Sequence, residues 1–243
     1  MKEKGMPLIA TGNTAEVFDY ADGKILKLFK DGYPEDSIKM EFNNVAVVNK
    51  QGIPSPKVYE IVYVENRCGI VYEKLTGNDL LKEIFACLEN LPAVEKLLTE
   101  FSNFHKDFLS HRSTECISYK DYLKYFGYPD ADSLPEGDFL CHGDFHFANL
   151  MRNGSGESED SGKLYAIDFM NLCHGPKEYD IARAYVLIVE DSLPKDMPEP
   201  QRKMLLDAKA VAGKIYLEKM GFSLEQLKPF IPAIEFCRKR EML

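Results

Sequence analysis

The dominant spacing of apolar residues shifts near residue 75, from strand-like runs interrupted by one helix to mostly helical ones, and that shift limits the fold more than any other feature. Up to Glu73 the runs alternate apolar and polar, as half-buried strands do. Beyond Thr76-Gly77-Asn78 most runs repeat at helical spacing. Residues 15–20 and 24–29 flank Asp22-Gly23, a dipeptide that favours a tight turn between antiparallel strands. Within the second run Ile25, Lys27 and Phe29 share one face, and Leu26 and Leu28 share the other, so a lysine is set among apolar neighbours. Residues 34–51 read as a helix with Ile38, Phe42, Val45 and Asn49 on one stripe. Gly52 is placed to end it, and Ile53-Pro54-Ser55-Pro56 cannot continue it. Residues 57–64 and 68–73 form a second hairpin about Glu65-Asn66.

Thr76-Gly77-Asn78 supplies a turn and then a cap for a helix beginning near Asp79. Further helices are expected over 92–109, 119–126, 178–191, 199–220 and 223–240, with short strands within 139–169 and a polar loop over 154–162. The expected class is α+β: an antiparallel-sheet N-terminal lobe with one helix (1–74), then a mainly helical C-terminal lobe (75–243).

A net charge of -9 argues against nucleic acid as the main partner, since that task needs a basic surface. No apolar run is long enough for a leader or a membrane span. The six cysteines are scattered without a C-x-x-C pair, which reads as reduced thiols in a cytoplasmic protein. The oligomeric state is not legible.

The chemistry concentrates in His142-Gly143-Asp144-Phe145-His146-Phe147-Ala148-Asn149, followed by Asp168 at the end of the apolar run Lys163–Ile167. Phosphoryl transfer from a nucleotide needs such a set: one carboxylate to accept the proton of the attacking hydroxyl, and an amide oxygen and a second carboxylate for magnesium. A rival reading takes His142, Asp144 and His146, with His174, as a zinc or iron centre of a hydrolase. It leaves Lys27 and Glu41 without a role, whereas phosphoryl transfer uses a lysine on the α- and β-phosphates and an acid to hold it. The turn Gly12-Asn13-Thr14 can offer backbone N–H groups to phosphates, or simply join two strands. Asp180 reads equally as a helix cap or as a buried brace for the loop holding Asp144. His105 reads as a core histidine.

These motifs resemble those of the aminoglycoside phosphotransferase and choline kinase group, small-molecule kinases with a protein-kinase-like two-lobe fold. The likeness spans about residues 8–190. His142–Asn149 is similar to the group's H-G-D-x-x-x-x-N signature, Ile167-Asp168-Phe169 to its metal-binding segment, and Gly175-Pro176 through Tyr179-Asp180 to the segment after it. The resemblance implies Asp144 as catalytic base, Asn149 and Asp168 as Mg²⁺ ligands, Lys27 as phosphate clamp with Glu41 as its partner, and Gly12, Asn13 and Thr14 as the phosphate turn. It makes Glu73 to Leu75 a hinge whose backbone meets the nucleotide base, and His142 and Asp180 structural supports. The implied substrates are ATP or GTP and a small-molecule hydroxyl. A chain with no Trp is poorly equipped for a quaternary-ammonium cage. Glu235 and Glu241 could meet the ammonium groups of an aminoglycoside, but a solvated helix face is the favoured reading. Alternatives are a kinase for another small metabolite and a nucleotide-binding regulator without catalysis. A protein kinase fits less well, because only eleven residues separate Asp168 from Asp180.

Overall fold

The chain up to Glu73 forms five strands, where the period is two, and one helix, where the apolar stripe is helical. They are β1 (Leu8–Thr11), β2 (Ala15–Ala21), β3 (Lys24–Phe29), α1 (Glu35–Lys50), β4 (Val58–Val64) and β5 (Arg67–Glu73). The strands form one antiparallel sheet in the order β1-β2-β3-β5-β4. The computed structural model describes residues 5–154, 161–190, 193–194 and 196–241. Both expected hairpins close, through Ala21↔Lys24 and Val64↔Arg67, and Glu65 takes the left-handed φ of 55° that a tight turn requires. β1 is an addition to the sequence reading. It is exposed along its whole length and bulged between Leu8 and Ala10, so it carries no apolar alternation to betray it.

Alternation on β3 places Leu26 and Leu28 in a core with Phe18, Val64 and Val71. Gly69 on β5 lies so close to β3 that a Cβ would meet Leu26 Cδ1 at 2.8 Å and the Lys27 carbonyl at 2.9 Å. A side chain there would push β3, and Lys27 with it, out of register. α1 stops at Lys50, and Gly52 follows at φ 73°.

The chain divides into two compact units. One comprises Met1–Asp79 with Leu150–Asn171, the other Leu80–Asn149 with Leu172–Leu243. The second unit opens with α2 (Leu80–Ala86), α3 (Leu91–Phe108), α4 (Tyr119–Tyr125) and β6 (Phe139–Cys141). The antiparallel pair β7 (Leu150–Arg152) and β8 (Leu164–Ala166) belongs to the first unit. β9 (Cys173–Gly175) then pairs with β6, and α5 (Lys177–Val189), α6 (Glu199–Met220), α7 (Leu224–Leu227) and α8 (Ile231–Glu241) complete the second unit. Its core gathers aromatics: Phe101 of α3 lies 4.7 Å from Phe145 and 5.7 Å from Tyr216 of α6 between ring centroids.

Two expectations need correction. The helix expected over 223–240 is two helices, because Pro229 and Pro232 each lack the N–H that a continuous helix would use. The strand at Lys163–Ile167 is shorter than expected, and within β8 only Ala166 is fully buried. Most of the polar loop expected over 154–162, residues 155–160, lies outside the described residues, as does residue 191 at the end of the helix expected over 178–191. Among the described residues no helix is long and apolar enough to cross a membrane.

Candidate active site

In the first unit β3, α1 and the segment after β8 bring three predicted residues together. Lys27 Nζ lies 2.7 Å from Glu41 Oε1 and 3.2 Å from Asp168 Oδ1. Glu41 is buried on α1, and its Oε1 also accepts a hydrogen bond from Tyr72 on β5 at 2.8 Å. The segment carrying Asp168 is tied down on both sides. Ala166 N donates to the Pro54 carbonyl at 2.9 Å, and Asn44 Nδ2 donates to the Phe169 carbonyl at 2.8 Å. Asp168 itself has φ 64°, in the left-handed region that side chains other than glycine rarely occupy, and its carboxylate is exposed. Burial opposes the charge on Lys27, but Asp168 and then Glu41 outweigh it and hold the ammonium above its ordinary pKa.

Gly12, Asn13 and Thr14 form the exposed turn between β1 and β2, and the Gly12 N–H is used there on the Ala15 carbonyl at 2.8 Å. Glu73 ends β5 with its N–H on the Lys57 carbonyl at 2.9 Å and its Oε2 accepting from Lys57 N at 3.1 Å. Leu75 follows, half-buried.

In the second unit the loop after β6 carries Asp144 and is held chiefly by α5. The Asp180 carboxylate is fully buried and accepts the N–H of His142 on Oδ2 and of Gly143 on Oδ1, each at 2.8 Å. It also meets His105 Nε2 at 3.0 Å. An ionised carboxylate only accepts, so Nε2 carries a proton, and Nδ1 meets the Tyr216 hydroxyl at 2.7 Å. Burial works against the Asp180 charge, but His105, His142 and the Gly143 N–H together hold its pKa below the usual carboxylate range. Asp180 is therefore a brace and not a cap: Pro176 occupies the cap position of α5.

Arg183, one turn further along α5, is also fully buried. Its Nε donates to the Gly143 carbonyl, and its Nη2 donates to Glu241 Oε1 at 2.7 Å and to the Tyr122 hydroxyl at 3.3 Å. Glu241 also pairs with Arg238 at 2.9 Å, so its expected place on a solvated face is overturned: it is the counter-ion of a buried arginine.

Asp144 stands at the tip of this braced loop. Asn149 Nδ2 donates to the Asp144 carbonyl at 2.8 Å and to its Oδ2 at 3.2 Å, which leaves the Asn149 amide oxygen as the atom able to meet a cation. That oxygen and the exposed Asp168 carboxylate are hard donors of the kind magnesium takes. Burial raises the Asp144 pKa, but His146, Arg183 and His142 outweigh it, and the group stays an ionised carboxylate. His142 Nδ1 accepts the Asp144 N–H at 3.3 Å and His146 Nδ1 the Ala148 N–H at 3.2 Å, while His174 Nδ1 meets the Cys116 carbonyl at 2.9 Å. Each ring thus meets the backbone through Nδ1, and His146 Nε2 also lies 3.6 Å from Asp144 Oδ2. Among the described residues no three His, Cys, Asp or Glu side chains gather as a metal-ligand set, so the zinc-hydrolase reading has no site.

Asp144 lines a cavity of about 430 Å³ within the second unit, walled by α2, α3, α5 and α6. Sequence reasoning missed this chamber and missed Arg183. The available signal for Arg183 was its three-residue spacing from Asp180, which sets both on one helix face.

Residues 129–222 match the model of the Phosphotransferase enzyme family (APH). No curated protein sequence matches the chain. Solved structures share its fold at low identity. A type VIII aminoglycoside-3'-phosphotransferase is 14% identical, with a TM-score of 0.61 over 96% of this chain and 93% of that one. The ADP-bound aminoglycoside phosphotransferase APH(2'')-Ib is 15% identical, with a TM-score of 0.52 over 96% and 94%. The Streptomyces rimosus enzyme APH(3'')-Id, in complex with ADP and streptomycin, is 15% identical, with a TM-score of 0.51 over 96% and 92%. The chain's resemblance to the aminoglycoside phosphotransferase group is thus borne out, by the family match over residues 129–222 and by a shared fold over nearly its whole length.

Proposed function

We propose that this protein is a Mg²⁺-dependent kinase that moves the γ-phosphoryl group of ATP or GTP to a hydroxyl of a small molecule. The observation that carries the reading is Asp144: an ionised carboxylate on a loop braced by two buried α5 side chains, opening into a cavity. The hydroxyl oxygen forms a bond to Pγ as the bond from Pγ to the leaving oxygen breaks. The products are a phosphate monoester and a nucleoside diphosphate, and the hydroxyl proton passes to Asp144 and then to water.

In this reading Lys27, held charged by Asp168 and Glu41, clamps the donor phosphates. Asn149 and Asp168 are the residues that hold magnesium, which supplies positive charge against the phosphates when bound. Gly12, Asn13 and Thr14 cover the phosphates, and the backbone of Glu73 to Leu75 meets the nucleotide base. His142 and Asp180 support the catalytic loop. The ADP carried by the related structures supports a nucleotide donor. All six cysteines are free thiols, which supports a reducing, cytoplasmic setting.

An acceptor screen coupled to detection of ADP and GDP tests the proposal. Acceptor-dependent diphosphate release that requires Mg²⁺ is the expected result. Mg-nucleotide binding without any release across a broad panel of alcohols would instead favour a non-catalytic regulator.

A further inference from the structure

Resting on the kinase reading above, the cavity beside Asp144 sets the chemistry of the acceptor. Most of its wall is apolar: Leu81, Ile84 and Phe85 from α2, Leu98 from α3, and Leu187 and Ile188 from α5. Two of the α2 side chains, Leu81 and Phe85, remain exposed to solvent (36% and 53%), so apolar surface continues outward from the wall. Among the described residues, the charged side chains lining the cavity are two acids, Asp144 and Glu190, and two bases, Lys209 and Arg238. Glu190 is engaged by Arg238 at 2.6 and 3.3 Å. Among the described residues, Asp144 is therefore the lining acid that no Arg or Lys engages, and the proposed reaction already uses it.

A polycationic amino sugar needs several uncommitted carboxylates to replace the water around its ammonium groups, and leaving those groups desolvated and unpaired is costly. An uncharged body loses little on entering an apolar wall and gains from the area it buries. The cavity volume of about 430 Å³ lies within the range of small-molecule sites.

We infer that the acceptor is an uncharged alcohol, with one hydroxyl presented to Asp144 and an aliphatic or aromatic body lying against α2, α3 and α5. The hydroxyl oxygen bonds to Pγ, the nucleoside diphosphate leaves, and the proton goes to Asp144, giving an amphiphilic phosphate monoester.

Phosphate-monoester formation from 4-phenylbutan-1-ol and from the amino sugar neamine, each with Mg-ATP and read by mass spectrometry, tests the inference. The expected result is the phenylbutyl phosphate, with kcat/KM at least tenfold above that for neamine. Ala212→Phe, which fills the cavity from α6, is expected to raise KM for the alcohol at least tenfold. Ile84→Asp on α2 is expected to do the same, and melting followed by circular dichroism reports whether each variant is folded. Preferential phosphorylation of neamine would overturn the apolar assignment while leaving the kinase reading intact. So would unchanged alcohol kinetics in both folded variants. If neither compound is phosphorylated and titration calorimetry detects no binding of 4-phenylbutan-1-ol, the acceptor inference falls. The kinase reading falls with it only if Mg²⁺-dependent ATP hydrolysis is also absent.

Discussion

Asp180 ties three parts of the second unit together, because one buried carboxylate receives two loop N–H groups and one imidazole. Asp180→Asn keeps the shape but replaces one acceptor oxygen by a donor facing N–H groups. It is expected to cost about 2–4 kcal/mol in a urea melt, within the range for breaking a buried charged network. The pH dependence follows from the same geometry. The Asp180 pKa is depressed in the folded state, so its stabilisation is fully present above the unfolded-state value of about 4 and is lost as pH falls through the folded-state value. Urea midpoints of the wild type should therefore fall on acidification below about pH 4 more steeply than those of Asp180→Asn. That Asp144 and Asn149 would share one loop was legible from their spacing, and the structure joins them through Asn149 Nδ2. The choice between cap and brace for Asp180 was not legible, since it depends on partners that are distant in sequence.

At the scale of elements, α5 grips the loop from both sides, through Asp180 on its N–H groups and Arg183 on its carbonyl, and α8 supplies the counter-charge. Glu241→Ala leaves a buried guanidinium without its acid. We expect a loss of about 2–3 kcal/mol in denaturant melts, and a fall in kcat larger than any change in the Kd for Mg-ATP. Equal losses in kcat and nucleotide affinity would argue against a role confined to the loop. From sequence alone Glu241 reads as part of a solvated face, because charged helix residues are mostly exposed. The groups that donate to it, Arg183 and Tyr122, lie 58 and 119 residues away, a separation no periodicity reveals. The strands and most helices were legible because burial on one face imposes a period. The exposed β1 was not, for want of a buried face, and the break between α7 and α8 was written in Pro229 and Pro232 but overlooked.

At the scale of the whole molecule, the proposed reaction draws on both units: Lys27 held by two acids in one, and Asp144 on a loop gripped by α5 in the other. Ligand binding to the folded state alone raises stability by mass action, so Mg-ATP at a hundredfold excess over Kd should add about 2.7 kcal/mol. Lys27→Ala should lose most of that gain in a thermal shift assay. The central claim is that Asp144 acts in the transfer step and not in nucleotide binding. The most direct measurement compares wild type and Asp144→Ala for acceptor-dependent transfer of the labelled γ-phosphoryl group of ATP, alongside the Kd for Mg-ATP. The account predicts that kcat falls by a factor of about 10² to 10⁴ while Kd changes less than threefold. Wild-type transfer by a folded Asp144→Ala protein would contradict it.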